Sequence, residues 1–93
     1  MANNKSAEKR IRINRRNRLR NRFYKSSART LIKAFLKNLE VYKISQDPTD
    51  KEKAKKILDS IYSVLDKGAK KRVFHKNFAA RKKSRLAMSL KTV

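Results

Sequence analysis

The sequence predicts an all-α protein, an antiparallel three-helix bundle with a long, projecting N-terminal helix. Three observations predict it. No Gly or Pro occurs between Ala2 and Asp47, so nothing forbids one continuous helix there. Apolar residues recur at a period of about 3.6, and no segment alternates as a strand would. The single Pro and the single Gly, Pro48 and Gly68, stand beside the two places where helical stripes stop. The chain reads as one domain over residues 1–93, with helices at about 6–44, 50–71 and 75–91.

Ser6 is the expected cap of the first helix, with Glu8 in its first turn favourable to the helix dipole. At 1.5 Å per residue that helix is roughly 60 Å long, longer than a small globule is wide, so one half must project. The stripe says which half. Tyr24, Ala28, Leu31, Ile32, Phe35, Leu39 and Tyr42 fall within an arc of about 100° and form a core face. Before Tyr24 the apolar residues thin out to Ile11, Ile13, Leu19 and Phe23. Lacking a core face, that outer half is expected to be disordered in the free protein and helical on nucleic acid.

The stretch SQDPTD, residues 45–50, ends the first helix. Pro48 cannot continue it, and Asp47, Thr49 and Asp50 are turn and cap residues. Ala54, Ile57, Leu58, Ile61, Tyr62 and Leu65 then make the clearest amphipathic stripe in the chain. Gly68 is a natural stop for this helix, although residues 69–71 can extend it by a turn. The third helix has a thin stripe, Ala79, Leu86 and Leu90, with His75 on the same side. Short connections between the three argue for an up-down-up bundle.

Charge is distributed as unevenly as hydropathy. The chain of 93 residues carries 28 Lys and Arg against 7 acids, a formal net charge of +21. Residues 1–30 carry +10, residues 40–66 carry −1 and hold six of the seven acids, and residues 67–93 carry +10. The middle is an ordinary soluble stretch, and both ends are polyanion-binding surface. Within residues 5–29 there are eleven bases and one acid. On a helix, Arg12, Arg15, Arg16, Arg18, Arg20 and Arg22 point in almost every direction. A membrane-surface helix confines charge to one face, whereas charge all round suits a rod set among several phosphate backbones.

Other classes find little support. With no Cys, neither a disulfide nor a thiolate metal site is possible. No apolar run approaches a membrane span, and MANNKSAEKR lacks the apolar core of a secretory signal. A single Gly excludes Gly-rich phosphate loops. His75 has no partner for catalysis, and Glu40, Asp47, Asp50, Glu52, Asp59 and Asp66 read as solubilising and helix-start charge. No enzyme activity, cofactor, metal, small-molecule substrate, membrane or homo-oligomer is expected.

A second basic block, KKRVFHKNFAARKKSRL, covers residues 70–86. Its Lys and Arg neutralise phosphates, and His75 and Asn77 can bond sugar or base edges beside the backbone N–H groups of a helix start. Val73 and Phe74 read as a staple into the core. Phe78 lies off the stripe, and the sequence leaves it either covering the bundle edge or stacking on a base. Tyr24, Phe35, Tyr42 and Tyr62 read as packing. Phe23, one step off the core stripe, is the better aromatic for RNA.

The start MANNKSAEKR, RNRLRNRFYKSS at residues 16–27, RTLIKAFL at residues 29–36 and HKNFAARKKSRL at residues 75–86 resemble the bacterial-type small-subunit ribosomal protein S-twenty family. The resemblance spans nearly the whole chain in the right order, and its last block is the most specific. It implies a structural protein that binds small-subunit (16S-type) rRNA directly, helps subunit assembly and sits among other small-subunit components. It implies RNA contacts from Lys5, Lys9, Arg10, Arg12, Arg15, Arg16, Arg18, Arg20, Arg22 and Lys25. In the second block it implies them from Lys71, Arg72, His75, Lys76, Asn77, Arg81, Lys82, Lys83 and Arg85. Two departures stand out. Arg72 occupies a place where many members have Gly, and Phe78 one that is usually polar. The wording of RNRLRNRFYKSS is similar to cyanobacterial and plastid members, which implies a ribosome in the plastid (chloroplast) stroma, with the bacterial cytoplasm as the alternative. A nucleoid-type DNA-binding protein is the rival reading. It shares the charge but lacks a groove-reading helix and a dimer seam.

Overall fold

The computed structural model describes residues 2–93, and side chains from Asn4 onward. Three helices make up the fold: α1 (Ala2–Ser45), α2 (Pro48–Lys70) and α3 (Lys76–Lys91). The described chain is a rod-and-bundle of 67 × 21 × 14 Å. Its radius of gyration, 18.1 Å, far exceeds the roughly 12 Å of a compact chain of this length. The excess is the outer half of α1, because α2 is only 23 residues long and α1 is 44.

Two contacts bracket the pairing of α1 with α2. The Lys51 ammonium lies 5.7 Å from the Tyr42 ring centroid, and the Lys71 ammonium lies 5.8 Å from that of Tyr24. The helices are therefore antiparallel, and α1 leaves the bundle just before Tyr24, where its stripe begins. Phe35, Ile61 and Leu65 are the largest fully buried side chains, and Ala54, Leu58, Leu39 and Ala28 complete the seam. The third helix returns along α2. Tyr62 Oη donates to the Lys83 carbonyl at 3.3 Å, and Lys83 Nζ pairs with Asp66 at 2.8 Å. Ala79 and Leu86 are its buried residues, and Leu90 is half-buried against the core.

The start of α1 differs from expectation. The helix begins at Ala2, so Ser6 is an interior residue and not its cap. The stretch before Tyr24 is drawn as helix continuous with the packed half. The packed half of α1 has already met the cost of nucleation, and with no Gly or Pro each further residue adds a hydrogen bond. Ile11, Leu19 and Phe23 are exposed along this half, as the absence of a core face requires.

The first turn is built by side chains. Asp47 Oδ1 accepts the Thr49 N–H at 3.0 Å, and Asp50 Oδ2 accepts the Ser45 hydroxyl at 2.7 Å. Pro48 takes the first helical position, where its missing N–H costs nothing, so α2 starts two residues before the expected residue 50.

The end of α2 falls within a residue of the expected one, but not by the expected device. Gly68 does not stop the helix, which runs on to Lys70. The stop is Arg72, with φ at 62°. Its N–H reaches the Ala69 carbonyl at 3.1 Å, and the Val73 N–H reaches that of Gly68 at 2.8 Å, which together make a Schellman motif. A left-handed non-glycine residue costs about 1–2 kcal/mol. Arg72→Gly should therefore raise stability by about 1 kcal/mol, read as a thermal midpoint higher by about 4–8 °C. An unchanged midpoint would show that the arginine is not strained.

Gly68 is needed for a different reason. A Cβ on it would lie 2.4 Å from Phe74 Cδ2 and 2.6 Å from Cε2. The buried Phe74 ring lies directly on the helix backbone, which is how the α2–α3 corner is anchored. Gly68→Ala gains helix propensity of about 1 kcal/mol but overpacks the corner at a cost of about 1–3 kcal/mol. A lower denaturant midpoint is the expected outcome, with the far-ultraviolet spectrum of the helices retained.

Candidate nucleic-acid interface

The bases of the outer half of α1 are presented as the all-round charge requires. Lys5, Lys9, Arg10, Arg12, Arg15, Arg16, Arg18, Arg22 and Lys25 are exposed. Arg20 is half-buried, and its Nε has no hydrogen-bond partner. Among the described residues the one ion pair is Lys83 with Asp66. The many cations of α1 thus face solvent at high density, a surface that is stabilised by a bound polyanion.

The second block collects at the α2–α3 corner. Lys71 caps α2, and Arg72, which follows it with a left-handed backbone, is exposed. His75 is the N-cap of α3, with Nδ1 accepting the Asn77 N–H at 3.1 Å. With Nδ1 accepting, Nε2 is the ring nitrogen left to donate. Lys76, Asn77, Arg81 and Arg85 are exposed, and Arg81 Nε reaches the Asn77 carbonyl at 3.4 Å. Lys83 differs from these. It is half-buried, its ammonium lies over Tyr62 at 5.1 Å, and it is held by Asp66. Its ammonium is paired with a neighbour on α2.

The two blocks meet. The Lys71 contact with Tyr24 puts the corner beside the point where α1 leaves the bundle. Between α1 and the start of α3 lies a groove of about 760 Å³, floored by Ala28, Ile32, Leu65, Val73 and Phe74. Lys25, Arg29 and Lys33 line one side and His75 and Lys82 the other. Phe78 settles into its wall, its ring 5.7 Å from that of Phe74, and is 39% exposed. It covers the bundle edge while keeping one face open. Arg29 and Lys33 were not singled out from sequence. The available signal was their spacing, since residues 25, 29 and 33 share one helical row.

Among the described residues there is no cluster of His, Cys, Asp or Glu able to hold a metal. No described helix is long and apolar enough to cross a membrane. What remains is a rod of cations joined to a basic, aromatic-bearing corner.

The sequence profile of the family described as Ribosomal protein S20 matches residues 2–91. The chain belongs to the ribosomal protein S20 family. Its S20 relatives include the small ribosomal subunit protein bS20c of Phaeodactylum tricornutum, 72% identical over 91 residues that cover 98% of both chains. The bS20c of Trieres chinensis is 71% identical with the same coverage. The bS20 of Crocosphaera subtropica is 50% identical over 93 residues, covering all of this chain and 96% of its own. The S20 match thus includes both the rod and the corner, and the whole of the candidate interface lies within it.

Proposed function

We propose that this protein is a structural constituent of the small ribosomal subunit, that it binds small-subunit rRNA directly and that it helps the subunit assemble. The observation that carries the reading is the meeting of the two basic blocks at the root of the projecting helix. The rod reaches between phosphate backbones while the corner holds a neighbouring RNA segment against the bundle. Lys and Arg supply affinity through counterion release, and the fixed angle between rod and corner selects RNA by shape. The residues of the two blocks make the contacts, with Lys83 acting through its packing. The protein needs no cofactor and catalyses no reaction. Identities of 72% and 71% to the bS20c proteins, against 50% to the Crocosphaera protein, favour a plastid ribosome over a bacterial one.

The test is co-sedimentation of the full chain with small ribosomal subunits, followed by a moderate salt wash. Retention after the wash is the expected result, together with preference for folded small-subunit rRNA over duplex DNA in competition. Equal affinity for both nucleic acids would favour the DNA-binding rival.

A further inference from the structure

The core seam of α1 does not end where the bundle ends. Extended toward the N-terminus at about 100° per residue, the arc of Tyr24, Ala28 and Phe35 passes through Asn21, Asn17 and Asn14. The same face that packs against α2 is carried on toward the N-terminus by three asparagines. They line a furrow of about 870 Å³ along α1, flanked by Arg18, Arg22 and Lys25. Asn17 and Asn21 are half-buried, and Asn21 Oδ1 is shielded from solvent with no hydrogen-bond partner.

The chemistry of a carboxamide narrows what can lie there. It offers both a donor and an acceptor, whereas phosphate oxygens only accept. The arginines suit phosphates, whereas the carboxamides along the furrow suit a group that can both donate and accept. A helix from a second copy of this chain would call for apolar side chains at these seam positions, and three successive asparagines do not supply them. The 2′-hydroxyl of ribose both donates and accepts, and rows of it line the wide, shallow minor groove of an RNA helix between two phosphate backbones.

We propose that Asn14, Asn17 and Asn21 form a sugar-edge reading stripe. It seats the outer half of α1 along the minor groove of an RNA helix and discriminates RNA from DNA, while the flanking cations hold the two backbones. The proposal rests on the RNA-binding reading above and assigns the choice of RNA to uncharged residues.

The test compares the full-length chain with the Asn14→Ala, Asn17→Ala, Asn21→Ala triple variant. The probes are folded small-subunit rRNA, an RNA duplex, the same duplex with 2′-O-methyl groups, and its DNA counterpart. Alanine raises helix propensity, so a loss is not due to a melted rod. The expected result is a wild-type preference for the RNA duplex over the DNA and 2′-O-methyl duplexes. The variant should lose about tenfold or more of that preference, three neutral hydrogen bonds being worth at least that. Its dependence on salt should be unchanged, because no charge is removed. A variant that keeps the wild-type RNA-to-DNA ratio, or a wild type with no preference between the duplexes, overturns the stripe. Failure of the wild type to bind subunit rRNA sinks the RNA-binding reading instead.

Discussion

Replacing Arg12, Arg15, Arg16 and Arg22 together with glutamine should weaken rRNA binding by about a thousandfold at 0.1 M salt. All four are exposed on the outer half of α1 and touch nothing that holds the bundle together. Glutamine is close to arginine in helix propensity, so the rod persists. Each phosphate contact contributes about 0.7–0.9 to the slope of log affinity against log salt. Four lost contacts should flatten that slope by about three, and the slope is the sharper readout. A matched control removes the same charge elsewhere. Lys51, Lys53, Lys55 and Lys56 lie in α2, outside both basic blocks, and all are exposed. Their replacement by glutamine should change affinity only slightly. Equal losses from both variants would mean that net charge governs binding and that the rod has no special place in it. Circular dichroism of both variants checks that helicity is retained.

How much of this was legible follows from which force decides each feature. Hydrophobic periodicity decides the helices, and it is strong in residues 24–42 and 54–65. The antiparallel pairing could be read from the short connections, and the point where α1 leaves the bundle from where the stripe starts. Positions ruled by local contacts were harder. Gly68 looked like a stop because glycine often is one. Its role comes from the Phe74 ring lying on it, a contact between residues whose closeness only the turned corner creates. Arg72 was noticed for standing where a glycine is common, but sequence cannot say that the backbone keeps its left-handed turn regardless. His75 is an uncommon cap, and its Nδ1 serves only because the turn brings it beside Asn77. The asparagines were visible merely as alternation with arginine. Charge hid them, and their alignment with the core seam emerges only when the stripe is extended past its last apolar residue. Lys83 shows the reverse limit. Composition places it with the other bases, while Asp66 and Tyr62, both on α2, draw it into the bundle.

Phe35→Ala is expected to be the most damaging single change to the fold. Phe35 is fully buried at the seam between α1 and the rest of the bundle. Truncating a buried Phe costs about 3–5 kcal/mol, the lost transfer energy plus the cavity left behind. A chain of this size starts with little to spare, since small domains are about 5–15 kcal/mol stable and a charge of +21 repels itself. The variant should therefore be largely unfolded, or unfold with a much lower denaturant midpoint, when free in dilute buffer. RNA binds the folded form, so it should restore helicity. A ligand at one hundred times its dissociation constant contributes about 2.7 kcal/mol, and at a thousand times about 4.1. Recovery of the helical spectrum on adding folded small-subunit rRNA is thus the expected result. Phe23→Ala provides the contrast. That ring is 66% exposed and meets only the edge of Tyr24, at 5.6 Å, so its loss should cost about 1 kcal/mol or less. Two phenylalanines on one helix then differ severalfold in their effect because one faces α2 and the other faces solvent. Equal destabilisation by the two substitutions would contradict the core assigned to α1. Failure of rRNA to refold the Phe35 variant would mean that binding does not select the bundle.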